Sequence, residues 1–345
     1  MSRLFQGIVP AIIVFEGMTM HTVALIGAGR IGRIHAANAA ANARLQLVSV
    51  TDPTPAGAEL ADQYGAATRS VEEVLADPSI RGVIIASSTD THLDYSLAAA
   101  RAGKAVFCEK PLDQDLDRAK EAAATFDSLG QPILLAFNRR FDANFAALQA
   151  RLVEGVVGGL ETLHIISHDP APPPADYVRT SGGLFKDMVI HDFDMARWLL
   201  GEPVVEVFST TSVLVDPAIG EAGDVDTAKT ILKTAGGRLC VISSSRRSGY
   251  GYDQRIEAYG SGGMIRAQNQ LETTVETWTA NGAAADRFQN FFLDRYRVAY
   301  AREMDHFADV LDGAAPLIDH NDGVAALELA EAAARSAAEG AVVRL

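Results

Sequence analysis

The stretch HTVALIGAGRIGRIHAANAAAN, residues 21–42, limits the folds open to this chain more than any other. Thr22–Ile26 is a short apolar run suited to a buried strand, and an Ala-rich helix follows. Between them Gly27, Gly29 and Gly32 fit G-x-G-x-x-G. The first Gly makes a tight turn and the second lets backbone approach a pyrophosphate. The third lets the helix pack close to the sheet, with its N-terminal N–H groups aimed at the phosphates. A lone match carries little weight, but here a second strand, Leu45–Thr51, ends at Asp52, twenty residues past Gly32. An acidic side chain there meets the adenosine ribose hydroxyls. It also repels a 2′-phosphate, and Pro53 supplies no compensating cation, so NAD is expected over NADP.

The alternation that follows is that of a doubly wound parallel sheet. Ala56–Tyr64 and Val71–Leu75 read as helices and Gly82–Ala86 as an apolar strand. Ser87-Ser88-Thr89-Asp90 is then a polar loop at a strand's carboxyl end, where open α/β sheets bind ligands. Thr91 with Asp94 fits a capping-box variant opening the helix His92–Ala102. Ala105–Cys108 is the next strand and runs into Glu109-Lys110-Pro111. Pro111 keeps Lys110 out of helical geometry at a strand's end. Lys110 reads either as an exposed lysine paired with Glu109, or as a crevice ammonium that stabilises a substrate oxygen while a hydride leaves its carbon. The helix Asp113–Leu129 and the strand Ile133–Phe137 follow, and Asn138–Asp142 ends the domain.

The second half changes pattern. Phe141–Glu154 reads as a joining helix and Leu160–Ser167 as a strand ending in His168-Asp169-Pro170. Gly182–Gly201, GGLFKDMVIHDFDMARWLLG, reads as an amphipathic helix bordered by glycines. At about 100° per residue, Asp187, His191, Asp194 and Trp198 share one stripe roughly 60° wide. A core helix fills such a stripe with Leu or Val, because buried carboxylates and imidazoles are costly unless paired. Asp187 one turn before His191 is either a surface pair or a general base with its orienting carboxylate. Strands then succeed one another: Val204–Val215, Thr227–Thr234, Arg238–Ser245, Gln254–Tyr259, Met264–Gln268 and Glu272–Trp278. Ala235-Gly236-Gly237 and Gly260–Gly263 read as hairpin turns, giving a mostly antiparallel sheet with one open face suited to oligomerisation. Tyr250 and Tyr252, in a loop between strands, and Arg297 and Tyr300 are either structural or polar partners for a polyol. Arg295–Leu311 and Asp322–Ala338, the latter behind an Asn321-Asp322 cap, close the chain as helices.

The expected architecture is α/β. A Rossmann domain over residues 20–140 is followed by an α+β domain over 141–345 with a mostly antiparallel open sheet. With 345 residues there is room for two cores. Residues 1–19 are expected to be an upstream start-site artefact or a disordered extension, with Met18 or Met20 as the natural beginning. Its apolar run Ile8–Phe15 is too short to span a membrane and precedes no small-residue cleavage site. The net charge of −14 argues against a nucleic-acid partner, which requires clustered Lys and Arg. Cys108 and Cys240, the two cysteines, lie in apolar strand-like runs; neither a disulfide framework nor a metal site is expected. A cytoplasmic protein without membrane partners is the expectation.

Taken together, the Gly-rich turn, Glu109-Lys110-Pro111 and the Gly-Gly…Asp187-x-x-x-His191 helix resemble the Gfo/Idh/MocA oxidoreductases over about residues 20–345. Within that family FNRRFD, SGYGYDQRIEAYGSGGMIRAQN, RYRVAYAREMDHF and DHNDGVAALELAEAAARS are similar to the inositol dehydrogenase subgroup. The resemblance implies NAD-dependent oxidation of a cyclic polyol's ring hydroxyl to a ketone by a homotetramer. It implies Lys110, Asp187 and His191 as the catalytic set, with the choice of His191 or Lys110 as base left open. The implied cofactor contacts are Gly27, Gly29, Arg30, Ile31, Gly32, Asp52, Ser87, Thr89, His92, Glu109 and Lys110. Substrate contacts are expected from Lys110, Asp169, Asp187, His191, Tyr250 and Tyr252. Asp169 stands where the subgroup often has Asn; a carboxylate accepts but cannot donate, so isomer preference is open. Oxidation of another sugar or sugar acid, or a non-catalytic NAD sensor on the same fold, are the competing readings.

Overall fold

The computed structural model describes residues 19–345, so the expectation for the N-terminal extension lies outside the described residues as far as Met18. The first half alternates strand and helix: β1 (His21–Ile26), α1 (Arg30–Ala41), β2 (Leu45–Thr51), α2 (Pro55–Tyr64), β3 (Ala67–Thr68), α3 (Val71–Ala76) and β4 (Gly82–Ile85). It continues with α4 (His92–Arg101), β5 (Ala105–Glu109), α5 (Leu116–Leu129) and β6 (Ile133–Ala136). These strands form one six-stranded parallel sheet in the order β3-β2-β1-β4-β5-β6. Strand order reverses between β1 and β4, and a ligand crevice opens at such a switch point. The central strand β4 (GVII) is fully buried, and so is the edge strand β6 (ILLA), against which α12 packs.

The second half runs α6 (Ala143–Val153), β7 (Leu160–His168), α7 (Ala175–Val178), α8 (Ile190–Leu200), β8 (Val204–Ser212), α9 (Pro217–Glu221), β9 (Thr227–Thr234) and β10 (Leu239–Ser245). After these come β11 (Asp253–Gly260), β12 (Gly263–Ala267), β13 (Glu276–Thr279), β14 (Gly282–Ala285), α10 (Phe292–Arg295), α11 (Arg297–Leu311), α12 (His320–Glu339) and β15 (Val343–Arg344). The second sheet has seven strands, ordered β12-β11-β7-β10-β9-β8-β15, antiparallel throughout except where β7 and β10 pair in parallel. β9, TAKTILKT, alternates outward Lys229, Ile231 and Lys233 with inward Ala228, Thr230 and Leu232. The inward face packs on α8 and α12, and α12 also touches α5 and β6 of the first sheet. The outward face leaves Ile231, Leu239, Val241 and Met264 exposed.

Several boundaries differ from the sequence reading. Glu272–Trp278 contributes no strand to the large sheet; β13 pairs only with β14, as a separate exposed hairpin. The strand expected to reach Val215 stops at Ser212, because the Asp226 carboxylate collects the N–H groups of Leu214, Val215 and Asp216 at 2.8–3.0 Å. Asp319, not Asn321 or Asp322, caps α12, with Asp322 completing the capping box. Thr91 caps nothing: its hydroxyl turns back to Ser87 Oγ at 2.6 Å and the Ser88 carbonyl at 2.7 Å, and Asp94 pairs with Arg118 at 2.9 Å. Both cysteines are buried and free, and burial pushes the Cys108 thiol up to about 12.

Candidate active site

At the switch point Gly27 takes φ +104°, and a Cβ there would stand 2.3 Å from the Ala86 carbonyl oxygen. A Cβ at Gly32 would meet the Gly27 carbonyl at 2.0 Å, so the helix can approach only as glycine. Gly29 faces open space with nothing within 4 Å of an added Cβ, and no side chain caps the α1 N-terminus behind it. Free N–H groups beside open space suit a pyrophosphate. Arg30 is exposed at the head of α1 and Ile31 is half-buried. At the end of β2, Asp52 Oδ2 accepts the Ala28 N–H at 2.7 Å and Oδ1 accepts from Thr54 N–H and Oγ1 at 2.8 and 2.6 Å. Burial pushes its pKa up, but these bonds and the charge of Arg33 outweigh that and leave it below the ordinary value. The residues present fit NAD, and Asp52 is held ionised at the end of β2.

Ser87 and Thr89, both half-buried, form the facing loop after β4. Two further expected contacts have protein partners. His92 is buried with Nδ1 2.8 Å from the Pro111 carbonyl and Nε2 3.2 Å from that of Ser87, so its ring ties the two loops together. Glu109 has Oε1 2.7 Å from His35 Nε2 on α1, and its Oε2 accepts the Lys110 N–H at 3.2 Å. Both brace the loops through protein hydrogen bonds.

Lys110 projects from the end of β5 towards α8. Its Nζ donates to the Asp187 main-chain carbonyl at 2.7 Å and lies 3.6 Å from Asp187 Oδ1. Asp187 sits in a π turn, Phe185–Val189, that precedes α8. The expected pairing of Asp187 with the His191 ring is not formed: the carboxylate has other partners and His191 Nδ1 has none. Asp187 Oδ1 accepts the Tyr177 hydroxyl at 3.0 Å, and Oδ2 lies 3.5 Å from both terminal nitrogens of Arg246. His191 leaves Nδ1 buried without a partner and stands edge-on to Phe137 at 5.9 Å. Burial, with the positive charges of Lys110 and Arg139, holds its pKa well below the ordinary value. The imidazole is neutral at neutral pH, as a proton acceptor must be.

Asp194 and Trp198 behave as supports. Asp194 accepts from Arg140 Nε at 3.0 Å, and the Arg140 guanidinium lies 5.7 Å from the Trp198 ring centroid. Arg139 pairs with the buried Asp192 and reaches Ser167 at 3.3 Å. Asp169 donates its N–H to the Ser245 carbonyl at 2.9 Å, and burial pushes its carboxyl up to about 7 against the opposing charges of Arg246 and Arg139. Tyr252 is buried beside it, its phenol held well above the ordinary pKa by burial. Tyr250 is not brought into this group. Gly251, at φ +118°, separates the two tyrosines, and Tyr250 is exposed with its hydroxyl on Asp253 Oδ2 at 2.7 Å. The sequence reading missed Tyr177, Asp224 and Arg246. The double arginine 246–247 after β10 is a signal for the last, but nothing local marks which arginine turns inward: Arg246 is buried and Arg247 exposed.

Two family models match: "Oxidoreductase family, NAD-binding Rossmann fold" over residues 21–137, and "GFO/IDH/MocA C-terminal domain" over residues 145–266. The chain is 46% identical over 317 residues to an inositol 2-dehydrogenase of Rhizobium meliloti strain 1021, covering 91% of this chain and 96% of that protein. The crystal structure of a myo-inositol dehydrogenase from Corynebacterium glutamicum superposes with a TM-score of 0.91 at 43% identity, covering 94% of this chain and 99% of that one. A scyllo-inositol dehydrogenase from Lactobacillus casei, solved with bound NAD(H) and scyllo-inositol, gives 0.88 at 26% identity over 94% and 99% of the two chains. Matched in both halves and in this order of elements, the chain belongs to the Gfo/Idh/MocA family of NAD-binding oxidoreductases.

Proposed function

We propose that this protein oxidises a ring hydroxyl of an inositol to the ketone, with NAD as hydride acceptor. The observation that carries the reading is the convergence of Lys110, Asp187 and a neutral His191 at the carboxyl edge of the parallel sheet, the edge that also carries the glycine-rich turn. Bound NAD supplies a nicotinamide that takes the hydride from the substrate carbon. His191, neutral before the reaction, accepts the hydroxyl proton. Lys110 hydrogen-bonds the same oxygen and stabilises the negative charge that grows there. Asp187 holds Lys110 in place, and Asp169 and Tyr252 offer an acceptor and a donor to other ring hydroxyls. In this reading the Rossmann domain spans residues 20–140 and the substrate domain 141–345.

The similar proteins are named as inositol dehydrogenases, one of them solved with scyllo-inositol bound, which supports inositol over an aldose as substrate. The apolar outward face of the second sheet, with Ile231, Leu239, Val241 and Met264 exposed, supports a homotetramer built through that face. Among the described residues no helix is long and apolar enough to cross a membrane, and two free buried thiols suit the reducing cytoplasm. NADH formation measured across myo-, scyllo- and chiro-inositol and glucose tests the substrate class. Turnover with at least one inositol is expected; turnover with glucose alone overturns the reading.

A further inference from the structure

Arg246 has no part in the reaction as described above, yet it is among the most completely buried side chains in the molecule, at 2% exposure. It follows β10, and its N–H donates to the Asp226 carbonyl at 2.8 Å. Its two terminal nitrogens lie 3.5 Å from Asp187 Oδ2, and one of them lies 3.7 Å from Asp224 Oδ2. Asp224 in turn accepts the Leu184 N–H on Oδ1 at 3.0 Å, in the first turn of the segment that carries Asp187. A Cβ at Gly183 would stand 2.9 Å from that same oxygen. One guanidinium therefore touches both the acceptor that starts this helix and the carboxylate three residues further along it.

The charges around Asp187 are Lys110 from the loop after β5, Arg246 after β10, Asp224 before β9 and Asp169 after β7, with the Tyr177 hydroxyl from α7 and His191 on its own helix. Arg139 is already paired with Asp192. Arg246 is thus the buried cation that Asp169, Asp187 and Asp224 have in common. We propose that Arg246 is a positioning residue for the reaction: it clamps Asp187 to Asp224 and so fixes the π turn whose carbonyl holds Lys110. This rests on reading Lys110, Asp187 and His191 as the reacting set.

Arg246→Gln, Arg246→Lys and Asp224→Asn, with Asp187→Asn as reference, test the assignment through kcat, KM and the pH profile of kcat/KM. Arg246→Gln removes positive charge, so the acidic limb is expected to move up by about one pH unit. Its kcat is expected to fall about 100-fold, the effect of a roughly 1 Å misplacement, with NADH affinity unchanged. Asp224→Asn keeps the acceptor for Leu184 N–H but frees the guanidinium for Asp187, so the limb moves down. Arg246→Lys recovers part of kcat. A purely structural Arg246 would lower stability without moving the limb. If the folded variants keep the wild-type limb, or if Arg246→Gln and Asp224→Asn move it in the same direction, the proposal is overturned. Should Arg246→Gln not fold, Arg246→Lys and Asp224→Asn still decide it. Full turnover in Asp187→Asn would instead overturn the reading of the reacting set.

Discussion

Lys110 Nζ is held by the main-chain carbonyl of Asp187, at 2.7 Å, more closely than by that residue's carboxylate, at 3.6 Å. That carbonyl lies in the π turn Phe185–Val189, and its second lone pair can take the ammonium proton. The Lys110 ammonium is therefore set by backbone geometry, while the Asp187 side chain faces Tyr177 and Arg246.

Lys110→Met and His191→Ala remove the two groups proposed to act on the reacting oxygen. Each is expected to lower kcat by about 100-fold or more while NADH still binds, since neither touches the glycine-rich turn. Steady-state turnover with fluorescence titration of NADH checks this. Near wild-type kcat in both variants would sink the mechanism.

Asp169 gives the fold a pH signature. Burial raises its carboxyl from 3.8 to about 7, so the native state binds the proton more tightly than the unfolded chain. Its contribution is fully present below the unfolded value and is lost as pH rises through about 7. In Asp169→Asn that loss is absent. Relative to wild type, the variant should gain about 2–4 kcal/mol of unfolding free energy between roughly pH 4 and pH 8. Denaturant titrations at several pH values measure it, and a pH-independent difference would contradict the account.

Asp52 accepts three hydrogen bonds within the turn and is the acceptor proposed for the ribose. Asp52→Ala should raise the KM for NAD about 10–100-fold and narrow the preference over NADP. Cofactor kinetics with both nucleotides give the answer; an unchanged NAD/NADP ratio counts against the assignment.

Arg140 is buried between Asp194, Asp322 and the Trp198 ring. Arg140→Met leaves the fully buried Asp194 carboxylate without its cation, at a cost of about 3–5 kcal/mol of stability. Arg140→Met combined with Asp194→Leu should recover much of that loss. Equal destabilisation in the single and double variants would show that the charge pair is not the cause.

Gly183 has φ +82° and lies against Asp224, so an added methyl is both strained and crowded. Gly183→Ala should destabilise by about 1–3 kcal/mol and lower kcat together, because it disturbs the start of the segment carrying Asp187. Thermal unfolding alongside turnover tests the coupling, which fails if kcat stays at the wild-type level in a destabilised variant.

What the sequence determined by itself is the part written in near neighbours. Gly27, Gly29 and Gly32 between strand and helix, with Asp52 at the next strand's end, required the dinucleotide fold. The alternation TAKTILKT placed β9 to the residue. The charged stripe on the helix after Gly183 was equally visible, as was its need for partners. The partners themselves were decided only by tertiary structure. Asp187 meets Arg246 from 59 residues away and Lys110 from 77, and Arg140 finds Asp194 across 54. Ideal helical periodicity paired Asp187 with His191, but in the fold its carboxylate meets Tyr177 and Arg246. Local pattern reports which face of an element is buried; which charge neutralises which depends on how distant elements pack, because a buried carboxylate takes whichever cation the fold brings within reach.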